Sequence, residues 1–300
     1  MNRHDIDWKG MFTAIVTPFT KTGEIDESAY RENIENLMDE GIRGLVVTGC
    51  TGEFWSLTDD ERIRVYQMAV ETSKGKVPVI AGTMGMVTRE VVELSNRAKA
   101  VGVDGVMITA PYYVMPKEKE IMRHYQDISS KVGLPILVYN IPNRVGINLT
   151  PDLLSKLCDV DCVVAVKQSS PSFDEVMQTI RLCGEKMRVF AGHSDTRGFP
   201  CIAMGADGGV SSVETQMLGK EAIQIYDAIV SGDFESARKI QCKSITAAGI
   251  ARMYGVFPSG LKACMNLLGR PGGFPRPPVS PLVEQEIEGL RDALVEAAFI

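Results

Sequence analysis

Eight times between Met11 and Val213 a short apolar run gives way to a stretch whose apolar residues recur at helical spacing, and this alternation constrains the fold more than any other feature. It is the pattern of βαβ units, whose strands lie parallel and are covered by helices. The strand-like runs are Met11–Phe19, Gly44–Gly49, Val77–Thr83, Gly105–Pro111, Pro135–Asn140, Val163–Ser170, Arg188–Gly192 and Gly208–Val213. Helix starts are marked by Asp26 as an N-cap, by Thr58 and Glu61 at capping-box spacing, and by Thr150 followed by Pro151. Helical spacing then continues to about Gly41 after Asp26, over Thr88–Val101, over Lys117–Lys131 and over Phe173–Cys183. Eight such repeats close on themselves, so the expected fold is α/β, a (β/α)8 TIM barrel.

After residue 214 helical patterns follow one another without strands. Gln216–Ser231 reads as the barrel's last helix, and Phe234–Tyr254, Ser259–Leu268 and Pro281–Phe299 as an added C-terminal helical segment. Arg270–Pro278, rich in proline and glycine, reads as a stiff connector. The expected division is a barrel over residues 1–232 and a helical segment packed on it over 233–300.

Composition narrows the function classes. Hydrophobic residues make up 45% and charged residues 23%, enough for a sizeable core. A net charge of −6, with no basic cluster to neutralise phosphates, argues against nucleic acid or an anionic membrane as partner. No run approaches a membrane span, and residues 1–9 lack the apolar core of a signal peptide, so a cytoplasmic location is expected. The seven cysteines are odd in number and scattered, as suits reduced thiols. Cys158 and Cys162 lie close but have no neighbouring histidine, and with only three histidines, 4, 124 and 193, no metal site is indicated.

The C-terminal ends of barrel strands carry the chemistry in this architecture. Here they bring Thr17, the turn Gly49-Cys50-Thr51-Gly52-Glu53, Tyr112-Tyr113, Tyr139-Asn140, Lys167, Gly192-His193 and Ser211 to one face. Lys167 ends the run Val163-Val164-Ala165-Val166, a costly place for an ammonium. Such a lysine is ion-paired, snorkels into solvent, or loses its proton through desolvation and attacks ketones as a Schiff-base nucleophile. The turn around Cys50 and Thr51 is either a plain tight turn or a nest of N–H groups for a carboxylate. Tyr112 and Tyr113 are packing aromatics or site residues, and Tyr139 is a structural phenol or a proton carrier beside the lysine.

In order along the chain, Gly49-Cys50-Thr51-Gly52-Glu53, Ala110-Pro111-Tyr112-Tyr113, Tyr139-Asn140-Ile141-Pro142-Asn143-Arg144-Val145-Gly146, Val166-Lys167, Gly205-Ala206-Asp207-Gly208 and Arg276-Pro277-Pro278 resemble the dihydrodipicolinate synthase and N-acetylneuraminate lyase family of class I aldolases. The resemblance covers nearly the whole chain. It implies an enzyme without a cofactor, in which Lys167 forms an imine with pyruvate or another 2-oxo acid. A carbon–carbon or carbon–oxygen bond is then made or broken through an enamine.

It further implies that Tyr139 shuttles protons and that Thr51, with backbone N–H groups around it, holds the carboxylate. Gly49, Cys50, Gly192 and Val210 line the pocket, Arg144 binds a carboxylate at its mouth, and Tyr113 reaches a neighbouring subunit's site. A homo-oligomer follows, a tetramer built as a dimer of dimers.

The named reaction best matched is condensation of pyruvate with aspartate semialdehyde by 4-hydroxy-tetrahydrodipicolinate synthase. The alternatives are aldol cleavage or dehydration of a 2-oxo-3-deoxy sugar acid, deamination of a cyclic imino acid, or a non-catalytic 2-oxo acid sensor. The chain departs from the synthase pattern at Cys50, where the synthases carry threonine and the lyases serine, and a thiol is the weaker hydrogen-bonding group. It departs again at Gln168-Ser169, where many synthases carry glutamate and a small residue, and at the bulky Phe54-Trp55.

Overall fold

In the computed structural model, which describes residues 1–300, the apolar runs form strands β1 (Gly10–Ala14), β2 (Gly44–Val47), β3 (Val79–Gly82), β4 (Gly105–Thr109), β5 (Ile136–Asn140), β6 (Val163–Gln168), β7 (Arg188–Ala191) and β8 (Gly208–Ser211). Each pairs in parallel with the next and β8 pairs with β1, so the sheet closes and no edge is left open. Every residue in all eight strands is buried, which is why they read as near-continuous apolar runs.

The crossovers hold α1 (Glu27–Asp39), α2 (Asp59–Ser73), α3 (Thr88–Ala100), α4 (Glu118–Val132), α5 (Pro142–Val145), α6 (Pro151–Leu157), α7 (Phe173–Cys183) and α8 (Ser194–Ala203). The caps form as the spacing implies. Asp26 accepts from Ala29 N at 3.0 Å, Thr150 from Leu153 N at 3.3 Å, and Thr58 and Glu61 exchange bonds of 3.2 and 2.8 Å. Each such cap stabilises its helix by about 1 kcal/mol.

Three elements differ from the sequence reading. The first strand stops at Ala14; Ile15 N still donates to Val46 O at 3.1 Å, but Val16–Phe19, though buried, leaves the sheet, and Thr17 Oγ1 donates to Gly52 O at 2.9 Å. Helix α8 carries Gly198 and Pro200, both helix-breaking signals. It survives because tertiary partners receive its disturbed backbone, Gln241 Oε1 accepting from Phe199 N at 2.7 Å. The helix expected over Gln216–Ser231 is broken into α9 (Glu214–Leu218), α10 (Lys220–Ile223) and α11 (Ile225–Val230). Gly219, at φ +57°, makes the first break, and a Cβ there would lie 2.3 Å from both Arg270 Nη2 and Glu40 Oε1, which form an ion pair across the gap.

The C-terminal helices α12 (Phe234–Ile250), α13 (Ser259–Leu267) and α14 (Glu284–Glu296) share one hydrophobic cluster with Val16, Val213 and Met217 of the barrel. The connector is pinned by Arg276. Its guanidinium donates to Glu61, Gly23 O and Ser56 O and covers the Phe19 ring, and its backbone N–H donates to Glu53 Oε2 at 3.0 Å. No helix is long and apolar enough to cross a membrane.

Candidate active site

Strand register sets the centre of the site. Thr109, Tyr139 and Lys167 are successive partners across β4, β5 and β6, and Lys167 pairs onward with Phe190 of β7. Alternation along a strand turns Tyr139 and Lys167 to one face and Asn140 and Gln168 to the other. Those outward amides lock the strand ends. Asn140 Nδ2 donates to Gln168 Oε1 at 2.8 Å and Leu149 O at 3.1 Å, Leu149 N donates to Asn140 Oδ1 at 3.0 Å, and Gln168 Nε2 donates to Thr179 Oγ1 at 2.9 Å.

Lys167 is 5% exposed, and no carboxylate of the chain pairs with it. Its Nζ lies 4.4 Å from the centroid of the Tyr139 ring. Burial lowers the ammonium pKa to about 8, against opposing pulls from Cys50, Glu214 and Asp195. A second buried lysine supplies the contrast. Lys262 Nζ pairs with the buried Glu53 and donates to Thr17 O at 2.7 Å and Phe274 O at 2.8 Å. Burial lowers the Lys262 pKa to about 8 as well, so pairing and not pKa separates the two: Lys262 is satisfied by the chain, Lys167 is not.

A cavity of about 260 Å³ opens over Lys167 and is bordered by Cys50, Thr51, Tyr139 and Gly192. The backbone N–H groups of Cys50, Thr51 and Gly52 find no acceptor in the chain, although the turn is buried around Thr51 and Gly52. Two left-handed residues frame this turn, Thr48 at φ 49° and Glu53 at φ 54°. Unpaired buried donors at the rim of a cavity are the arrangement that receives an anion.

Burial keeps the Tyr139 phenol protonated, its pKa well above 10, with the Cys50 thiol and Ser169 hydroxyl as neighbours. Burial also raises the Cys50 pKa, so the thiol is neutral. The site thus offers a partly deprotonated amine, a neutral phenol and N–H donors without an acceptor, groups chemically able to attack a carbonyl, pass a proton and receive an anion.

The outer wall is made by Arg144 of α5, His193, Ser212, Arg252 and Phe257. Of the residues singled out in the sequence, Lys167, Tyr139, Thr51, Cys50, Arg144 and Gly192 are brought together here. Gly49 and Val210 are buried but do not border the cavity. Tyr113, 86% exposed and at φ 71°, does not border its own chain's cavity. Ser211 is drawn off to bond Thr215, and Ser212 takes its place at the wall. Arg252 and Phe257 come from the C-terminal segment and carry no local signal, since only tertiary packing brings them to the strand ends. A second chamber of about 200 Å³ adjoins, sharing Cys50, Ile141 and Arg144 and walled by Phe54, Trp55 and Tyr112.

Comparison with known proteins agrees with this geometry. The model of the dihydrodipicolinate synthetase family matches residues 7–297. The chain is 37% identical to an uncharacterized DapA-like lyase of Rhizobium meliloti, covering 96% of this chain and 95% of the other. It is also 37% identical to a 4-hydroxy-tetrahydrodipicolinate synthase of Geotalea uraniireducens, covering 92% and 94%. The solved dihydrodipicolinate synthase of Thermotoga maritima superposes with a TM-score of 0.92 at 31% identity, over 98% of this chain and 99% of that one. With matches of this length and an eight-stranded barrel whose strand ends carry a buried lysine, the chain is a lyase of the class I aldolase type and belongs to the dihydrodipicolinate synthetase family.

Proposed function

We propose that Lys167 attacks the keto carbon of pyruvate or a related 2-oxo acid and expels water to form an iminium ion. Loss of a proton from the adjacent carbon gives an enamine, which forms a carbon–carbon bond to an aldehyde; run backwards, the same steps cleave that bond. Tyr139 carries the protons, and Thr51 with the free N–H groups of the turn holds the carboxylate. One observation carries the reading: Lys167 is a buried amine with no carboxylate partner, with its pKa near 8, facing Tyr139 and beside unpaired N–H donors.

The named reaction we favour is condensation of pyruvate with aspartate semialdehyde. Arg144 supports it, since it borders the cavity with no polar partner of its own and a guanidinium pairs with a carboxylate bidentately. The apolar chamber beside Phe54 and Trp55 favours a second reading, in which the enamine chemistry cleaves or dehydrates a 2-oxo-3-deoxy acid. We further propose a homo-oligomer in which Tyr113 enters the partner's site. The exposed apolar side chains of Tyr113, Val114 and Met115 support that contact.

Pyruvate with borohydride, followed by mass spectrometry, tests the chemistry: the expected result is a reduced pyruvate adduct on Lys167. An unmodified lysine at saturating pyruvate would leave a sensor rather than an enzyme. Consumption of aspartate semialdehyde, compared with that of a deoxy sugar acid, separates the two reactions.

A further inference from the structure

The cavity over Lys167 is bordered by Arg144, His193 and Arg252 but by no carboxylate. Arg252 reaches it from just beyond α12, in the segment appended to the barrel. Its Nη2 is held by Asp195 Oδ2, a carboxylate 4% exposed in the first turn of α8. Gln241 Nε2 donates to the Asp195 carbonyl at 2.7 Å and ties that turn to α12. The remaining guanidinium N–H groups of Arg252 find no acceptor in the chain, and its side chain is 42% exposed. A buried carboxylate therefore fixes one part of the guanidinium and leaves the rest free at the cavity wall. Fixing a long side chain beforehand removes the ordering cost that a ligand would otherwise meet. Neutralising Asp195 alone needs a single N–H and gives no reason for the cation to border the cavity.

We propose that Arg252, positioned by Asp195, is a specificity-determining residue that binds a second carboxylate at the far end of the 2-oxo acid substrate, sharing it with Arg144. The inference rests on the imine reading above: the 2-oxo acid it concerns is the longer one formed on Lys167 once the enamine of pyruvate has joined aspartate semialdehyde, which carries a carboxylate at each end. Guanidinium and carboxylate match in shape and charge, so the pair selects as well as attracts.

The test compares 2-oxoglutarate with 2-oxovalerate, its chain-length match without the second carboxylate, by calorimetry on the full-length protein. The wild type is expected to bind 2-oxoglutarate about tenfold more tightly or better. Arg252→Ala should lower that ratio at least threefold, leaving what Arg144 alone supplies, Arg252→Lys should leave an intermediate ratio, and Asp195→Asn should lower it. If Arg252→Ala leaves Asp195 too poorly compensated to fold, the double variant with Asp195→Ala removes the orphan charge and gives the same reading. A wild-type ratio near one, or a full ratio retained in Arg252→Ala, overturns the proposal. Borohydride trapping of both acids is run in parallel. No adduct on Lys167 with the ratio intact would sink the imine reading and leave the role of Arg252 standing.

Discussion

Lys167 and Tyr139 are register partners on adjacent strands, and the lysine Nζ lies 4.4 Å from the centre of the tyrosine ring. The ring face attracts an ammonium without accepting its proton, so it orients the amine while burial weakens its hold on the proton. With the pKa lowered to about 8, roughly a tenth of the lysine is free amine at pH 7 and most of it at pH 9. The rate of borohydride trapping with pyruvate should therefore rise with pH through a midpoint near 8. A midpoint near the ordinary lysine value would mean that the amine is not desolvated before the keto acid arrives.

The two buried lysines should respond in opposite directions to the same substitution. Because the folded-state pKa of Lys167 is depressed, folding costs a protonation penalty that is complete below pH 8 and relieved as pH rises toward 10.5. Lys167→Met should raise stability at pH 7, by at most about 3 kcal/mol, while abolishing the pyruvate adduct. Lys262, its pKa also lowered to about 8, carries the same penalty, but Lys262→Met leaves Glu53 buried without its cation, a loss of about 3–5 kcal/mol that outweighs the relief. Urea unfolding of both variants at pH 7 measures the two signs.

Much of this was legible in the chain. The eight strand runs, the caps at Asp26, Thr58 and Thr150, and the gathering of Lys167, Tyr139, Thr51 and Cys50 follow from local pattern and barrel geometry, whereas Arg144 was placed by the family resemblance alone. Partnership between distant segments was not legible. Nothing near Lys262 in the sequence names Glu53 as its partner, and nothing near Arg252 names Asp195. Helix α8 was hidden by Pro200, whose tolerance depends on Gln241 from α12. The break in the helix after β8 falls at Gly219, where the space a side chain would need is taken by an ion pair between Arg270 and Glu40, 230 residues apart.

Cys50 is expected to limit proton transfer through Tyr139. Both groups are neutral and adjacent, and a thiol is a weaker donor and acceptor than a hydroxyl. Cys50→Ser should raise kcat several-fold, within the roughly 10²–10⁴ that a positioned proton carrier contributes. The gain should vanish in a Tyr139→Phe background. A gain of equal size without the phenol would assign Cys50 to pocket shape instead, and the double-mutant cycle on kcat distinguishes the two.

Gly192 should not tolerate a side chain. Its N–H donates to Gln168 O at 2.9 Å, joining the ends of β7 and β6 under the cavity. A Cβ built there would lie 1.8 Å from Ser169 Oγ and 2.8 Å from Gln168 O. The serine hydroxyl can rotate away; the carbonyl belongs to the backbone one residue beyond Lys167 and cannot move without moving the lysine. Gly192→Ala should therefore slow pyruvate trapping at least tenfold, on the order of the losses caused by displacing a reacting group by about 1 Å. Ser169→Ala added to it should restore only part of the rate, because the carbonyl clash remains. Gly249→Ala is the control: it lies in α12 with nothing within 4 Å of a built Cβ and should stabilise the helix by up to about 1 kcal/mol. Full recovery in the Gly192/Ser169 double variant would show that the strand ends under Lys167 yield more readily than this packing implies.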